Sequence, residues 1–129
     1  MPIVIEFDAA KKRIRTTATG VISLTDLFAH LDGEEGDQHL GVPELIDARE
    51  ATTNLTTPEL RQLVSRMREY ASHTKLGPTA LVTRNDVVYG MARMYSILIA
   101  EFDARFFVFR SLTEAERWLD AGALPLDKP

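Results

Sequence analysis

Residues 87–100 read VVYGMARMYSILIA, an almost wholly apolar run whose one charge is Arg93. A helix that is apolar on nearly every side has no face to offer water. The domain core must cover most of it, and a partner or ligand must cover the remainder. Just upstream, Thr79 to Thr83 form a short apolar strand that ends in the polar corner Thr83-Arg84-Asn85-Asp86, where Asn85 or Asp86 starts the helix. A short strand that turns through a polar corner into a buried helix is a building unit of α/β domains.

The rest of the chain repeats that alternation. Ile3, Ile5 and Phe7 alternate with Val4, Glu6 and Asp8, and a polar turn leads to a second β-branched stretch from Arg13 to Thr19, ended by Gly20; together they read as a hairpin. Ser23 and Asp26 make a capping-box start for a helix carrying Leu24, Leu27, Phe28 and Leu31. Asp32 to Val42 is glycine-rich and acidic and reads as a loop. Glu44 to Ala48 is a short strand, and Thr57 with Pro58 opens an amphipathic helix lined by Leu60, Leu63, Val64, Met67 and Ala71. After the apolar helix, Arg105 to Phe109 form a fifth strand. Ser111 with Glu114 caps a last helix in which Trp118 is the core anchor. The order ββαβαβαβα predicts a single α/β domain over residues 1–121, a mixed sheet of about five strands with four helices, followed by a flexible tail at 122–129.

Composition narrows the function classes. With 129 residues the chain can bury a core without disulfides or metal, and it contains no cysteine. Fifteen basic residues against nineteen acidic ones give a net charge of −4 with no basic stripe, which argues against nucleic acid as a partner. No charged-then-apolar leader opens the sequence, and no apolar stretch reaches membrane-spanning length. A cytoplasmic protein without stable membrane insertion is therefore expected.

The strand ELIDAR at 44–49, the helix start TPEL at 57–60, the stretch TALVTRNDVVYGMARMY at 79–95 and FFVFRSLTEAERWL at 106–119 together resemble the STAS-like, or SpoIIAA-like, domains of bacterial proteins, also described as STAS/SEC14-like. The likeness runs from about residue 3 to residue 121. It implies a βα superhelix packed on a small mixed sheet. Related regulatory domains bind partner proteins, some under control of phosphorylation near the end of a central strand, and distant lipid-transfer relatives hold apolar ligands. This chain departs from the anti-sigma-factor-antagonist pattern, in which an Asp-Ser-Ser-Gly-like turn enters a helix directly. Here Asp47-Ala48-Arg49 leads into a longer loop, where Thr52 and Thr53 are the candidate phosphorylation sites.

Candidate binding residues gather where strands end. In open α/β sheets the carboxyl ends of the strands face a crevice. Asp47 and Arg49, then Arg84, Asn85 and Asp86, then Arg110 would share that rim, either to hold an anionic head group or to neutralise one another. On the apolar helix, Tyr89, Arg93, Met94, Tyr95 and Leu98 are expected in a homodimer contact or beneath a ligand groove. No phosphate loop, HExxH motif or clustered metal-ligand spacing is present, and His30, His39 and His73 read as surface or packing residues. The loop at 32–39 fails the calcium-loop spacing and reads as solvated. A non-catalytic regulatory or protein-interaction module without a cofactor is expected, possible partners being a second copy or a regulatory protein. The alternative is a carrier or sensor of a small apolar or amphipathic ligand, which could be anionic.

Overall fold

The computed structural model describes residues 2–36 and 39–123. The elements are β1 (Ile3–Asp8), β2 (Arg13–Ile22), α1 (Leu24–Gly36), β3 (Glu44–Thr53), α2 (Thr57–Ala71), β4 (Thr79–Val82), α3 (Asp86–Ile99), a 3₁₀ turn (Ala100–Phe102), β5 (Phe106–Phe109) and α4 (Leu112–Asp120). They form one five-stranded mixed sheet in the order β1-β2-β3-β4-β5. β1 runs antiparallel to β2, and every other pair is parallel.

Because the parallel strands follow one another across the sheet in chain order, crossovers of one hand leave their helices on the same face. The clusters of packed residues follow this rule. α1, α2 and α3 share a core around Leu60, Leu63, Val64, Tyr95 and Ile99. α4, which follows the last strand, packs Ala115, Trp118 and Leu119 on the opposite face against Leu45, Ala80, Val82 and Phe109. Trp118 is the anchor that its sequence context predicts, meeting Phe107 edge-on with ring centroids 5.0 Å apart.

Helix starts are set by short polar side chains. The Asp26 carboxylate accepts from the Ser23 backbone N–H at 2.9 Å, while Ser23 Oγ accepts from the Asp26 N–H at 3.2 Å. Asn85 caps α3 by accepting from the Val88 N–H at 3.0 Å, and Ser111 accepts from the Glu114 N–H at 3.3 Å to cap α4. Thr56, one residue earlier than expected, caps α2 through a capping box with Glu59.

Three segments differ from the sequence reading. β2 continues past Gly20 to Ile22, because a register shift between Thr17 and Thr19 and the left-handed backbone of Gly20 (φ 74°) absorb an irregularity without ending the strand. β3 extends to Thr53, so Thr52 and Thr53 lie in a strand paired with Val21 and Ile22 rather than in a loop. The acidic stretch from Asp32 to Gly36 is the last turn of α1. It is fastened to α2, where Arg66 donates to Asp32 at 2.7 Å and the Tyr70 hydroxyl also donates to Asp32. At the other end of the chain, the Ala123 N–H bonds to the Trp118 carbonyl at 2.8 Å and Ala123 is buried, whereas residues 124–129 of the expected tail lie outside the described residues. No helix among the described residues is long and apolar enough to cross a membrane.

Candidate functional site

Between the sheet and the three helices on one face lies a cavity of about 170 Å³. β2 contributes Thr16, Ala18 and Ile22, α1 contributes Leu27 and Leu31, α2 contributes Leu60, Leu63 and Met67, and α3 contributes Met91, Ala92, Tyr95 and Ile99. Small side chains open the space. Ala18, Ala48, Ala51 and Ala92 line it and are buried.

The wall changes character where α1 passes the start of β3. His30 and Glu34 share one face of α1 at i and i+4, and Glu44, the first residue of β3, faces them across the gap. His30 Nε2 is 3.2 Å from Glu34 Oε1 and 3.0 Å from Glu44 Oε2. The Thr16 hydroxyl, on the neighbouring strand, donates to Glu44 Oε2 at 2.5 Å. The three charged side chains are 4–7% exposed, so they form a buried polar cluster in a mostly apolar wall that also includes His39, Thr79 and Arg105.

Their proton affinities follow from that burial. Burial alone would lower the His30 pKa, but hydrogen bonds to Glu34 and Glu44 outweigh it and hold the imidazolium to about 10. Burial raises Glu34 to about 7 against the His30 bond, with help from the Glu44 charge. Burial opposes ionisation of Glu44 as well, yet the His30 and Thr16 bonds keep that carboxyl below its ordinary range. Tyr95 is raised by burial and by the two carboxylates, so its hydroxyl stays protonated. His30 Nδ1 is the one described buried side-chain polar atom without a hydrogen-bond partner.

No protein-family model matches the chain, and no curated protein matches it. Among solved structures, an uncharacterized protein of the DUF3478 family from Shewanella loihica PV-4, reported with a SpoIIAA-like fold, superposes with a TM-score of 0.58. The match covers 91% of this chain and 93% of that one at 16% sequence identity. The fold is SpoIIAA-like. At that identity the likeness concerns the path of the backbone, and the chemistry of the cavity is a property of this chain's own residues.

In this SpoIIAA-like domain the rim expected at the strand ends divides in two. Asp47 lies on the α4 side of the sheet, where Arg49 Nε and a terminal nitrogen donate to its two oxygens at 2.9 and 2.8 Å and Arg15 stands 3.8 Å away. The remaining candidates gather at the start of α3. Arg110 pairs with Asp86 at 2.9 Å and lies over the Tyr89 ring at 4.1 Å, and Arg84 is 3.9 Å from Glu50. Asn85 donates from its side chain to Thr52 at 3.4 Å, and the Thr53 hydroxyl donates to the Ile22 carbonyl at 2.7 Å. These charges are satisfied by one another, and neither Arg84 nor Arg93 lines the cavity.

The five α3 residues expected on one surface, the exposed Arg93 among them, are dispersed around the helix. Tyr95 points inward, Leu98 packs at the edge of the core, Met94 is 40% exposed and Tyr89 is stacked on the rim. The apolar face that α3 does present to solvent runs through Val87, Met94 and Ile97. His30 is neither a surface residue nor an apolar-packing one, and Glu34 is not part of a solvated loop. The i,i+4 spacing of His30 and Glu34 was the signal for this cluster in the sequence; its third member, fourteen positions from His30, carried none.

Proposed function

We propose that this domain is a non-catalytic binding module that holds a small amphipathic ligand in the cavity between its sheet and α1–α3. The supporting observation is the cavity beneath α3 itself, lined by Met91, Ala92, Tyr95 and Ile99. Apolar helix surface that faces a void inside its own chain calls for a ligand before it calls for a second protein. An apolar cavity of about 150 Å³ is enough to bind benzene. The 170 Å³ found here therefore suits a ring-sized or short-chain apolar body rather than a full-length lipid. The head group would hydrogen-bond at the Thr16, His30, Glu34 and Glu44 end, since the arginines considered for an anionic head lie outside the cavity. A regulatory or protein-interaction role has a separate candidate surface in the Val87, Met94 and Ile97 face and is compatible with ligand binding.

Native mass spectrometry of freshly purified protein, followed by titration of the ligand-free chain with benzyl alcohol under NMR observation, tests the reading. Chemical-shift changes confined to cavity residues such as Ala92 and Tyr95 are expected. A protein that carries no small molecule and shows no shift at those positions would rule it out.

A further inference from the structure

We propose that His30, Glu34 and Glu44 form a binding site for one divalent transition-metal ion. The inference does not rest on the amphipathic-ligand reading, because metal uptake is measured with no organic ligand present. It starts from convergence. The three ligand atoms, one imidazole nitrogen and two carboxylate oxygens, all lie within 4.8 Å of one another. Bonds of about 2.0–2.2 Å from an ion to nitrogen and oxygen ligands set neighbouring donors roughly 3.0–3.5 Å apart. The His30 separations of 3.2 Å to Glu34 and 3.0 Å to Glu44 fall in that interval.

Hydrogen bonding within the trio, which includes a bond between Glu34 and Glu44, leaves one ring nitrogen of the histidine unused. Nε2 alone faces both carboxylates and can give them a single proton between them, while Nδ1 is buried with no partner. A histidine placed to tie two glutamates together would use both ring nitrogens. Two carboxylates aimed at one nitrogen instead share a common point at which a cation can sit. One imidazolium offsets only one carboxylate charge, so the second carboxyl either keeps its proton or needs a further positive charge before both can ionise. A divalent ion with a neutral histidine balances them.

The donor set also selects among ions. An imidazole together with carboxylates suits zinc, manganese or iron better than magnesium or calcium, which prefer oxygen alone. The Thr16 hydroxyl on Glu44 Oε2 is the kind of outer bond that fixes a ligating carboxylate. The adjoining cavity leaves room for water to complete the coordination.

Protein stripped with a chelator and then titrated separately with Zn²⁺ and Mn²⁺ in a calorimeter tests the site, with Co²⁺ substitution read by visible absorption. One ion per chain is expected, with cobalt bands that are absent from Glu34→Gln and His30→Ala. Affinity in the variants should fall by at least about tenfold, the lower end of what loss of even an outer-shell partner costs. Should His30→Ala fail to fold, Glu34→Gln decides, since it keeps the side chain's shape while removing a charged ligand; circular dichroism confirms that it is folded. Absence of uptake by the parent overturns the proposal. So does uptake that is unchanged in folded Glu34→Gln, which would place the ion elsewhere.

Discussion

The Nε2 atom of His30 stands 3.0 Å from Oε2 of Glu44, and this contact ties the last turns of α1 to the first residue of β3. Both side chains are almost fully buried, so each depends on the other for compensation of its charge. Removing one partner of a buried pair strands the other. In chelator-treated buffer, His30→Ala is expected to lose about 3–5 kcal/mol of unfolding free energy. The triple variant His30→Leu, Glu34→Leu, Glu44→Met, which removes every buried charge of the cluster, should lose less than His30→Ala alone. Urea denaturation of the two variants beside the parent makes the comparison.

Asp47 supplies the pH dependence that is simplest to isolate. The hydrogen bonds from Arg49 outweigh burial and hold its carboxyl below the usual carboxylate range. A depressed folded value means that its contribution is present above the unfolded carboxylate range and is lost as pH falls through the folded value. Asp47→Asn should therefore be less stable than the parent at pH 7, by about 1 kcal/mol or less for a partly exposed pair. The gap should narrow as the pH is lowered from 7 to 2. Urea titrations at the two pH values check it.

Filling the cavity separates binding from stability. Ala92 is buried on α3 and lines the void, so Ala92→Leu places its new atoms in empty space rather than against packed neighbours. Stability should hold or rise by about 1–2 kcal/mol, as in other cavity-filling changes. The benzyl alcohol response should disappear. Thermal unfolding and the same NMR titration read the two effects.

Two glycines should respond in opposite directions. A Cβ at Gly77 would lie 2.6 Å from the Gly41 carbonyl oxygen and 2.9 Å from the Val42 carbonyl carbon, and backbone atoms do not step aside. Gly77→Ala is expected to cost about 1–3 kcal/mol, as overpacking does. Gly90, exposed within α3, has nothing within 4 Å of such a carbon. Gly90→Ala should gain roughly 0.5–1 kcal/mol from the lower backbone entropy of the unfolded chain. Melting curves of the two variants would show the divergence.

Local chemistry made most of the architecture readable. The caps at Ser23, Asn85 and Ser111 lie within four residues of the backbone groups they satisfy, and the alternation of strands with helices leaves few ways to arrange them. Boundaries were readable only where the deciding contact was local. Thr52 and Thr53 look like loop residues until β2 supplies the neighbour to which they pair. Asp32 to Gly36 reads as loop from its glycines and acids, and it is helical because Arg66 and Tyr70 of α2 hold Asp32.

The sequence by itself determined the strand–helix order, the helix caps and the apolar excess of residues 87–100, since each depends on residues a few positions apart. Only the tertiary structure decided what meets that excess: a cavity, and beside it a histidine and two glutamates whose burial changes their chemistry. Proton affinity and ligand geometry depend on solvent exclusion and on distances across the fold. A linear pattern does not encode those until α1 and β3 are brought face to face.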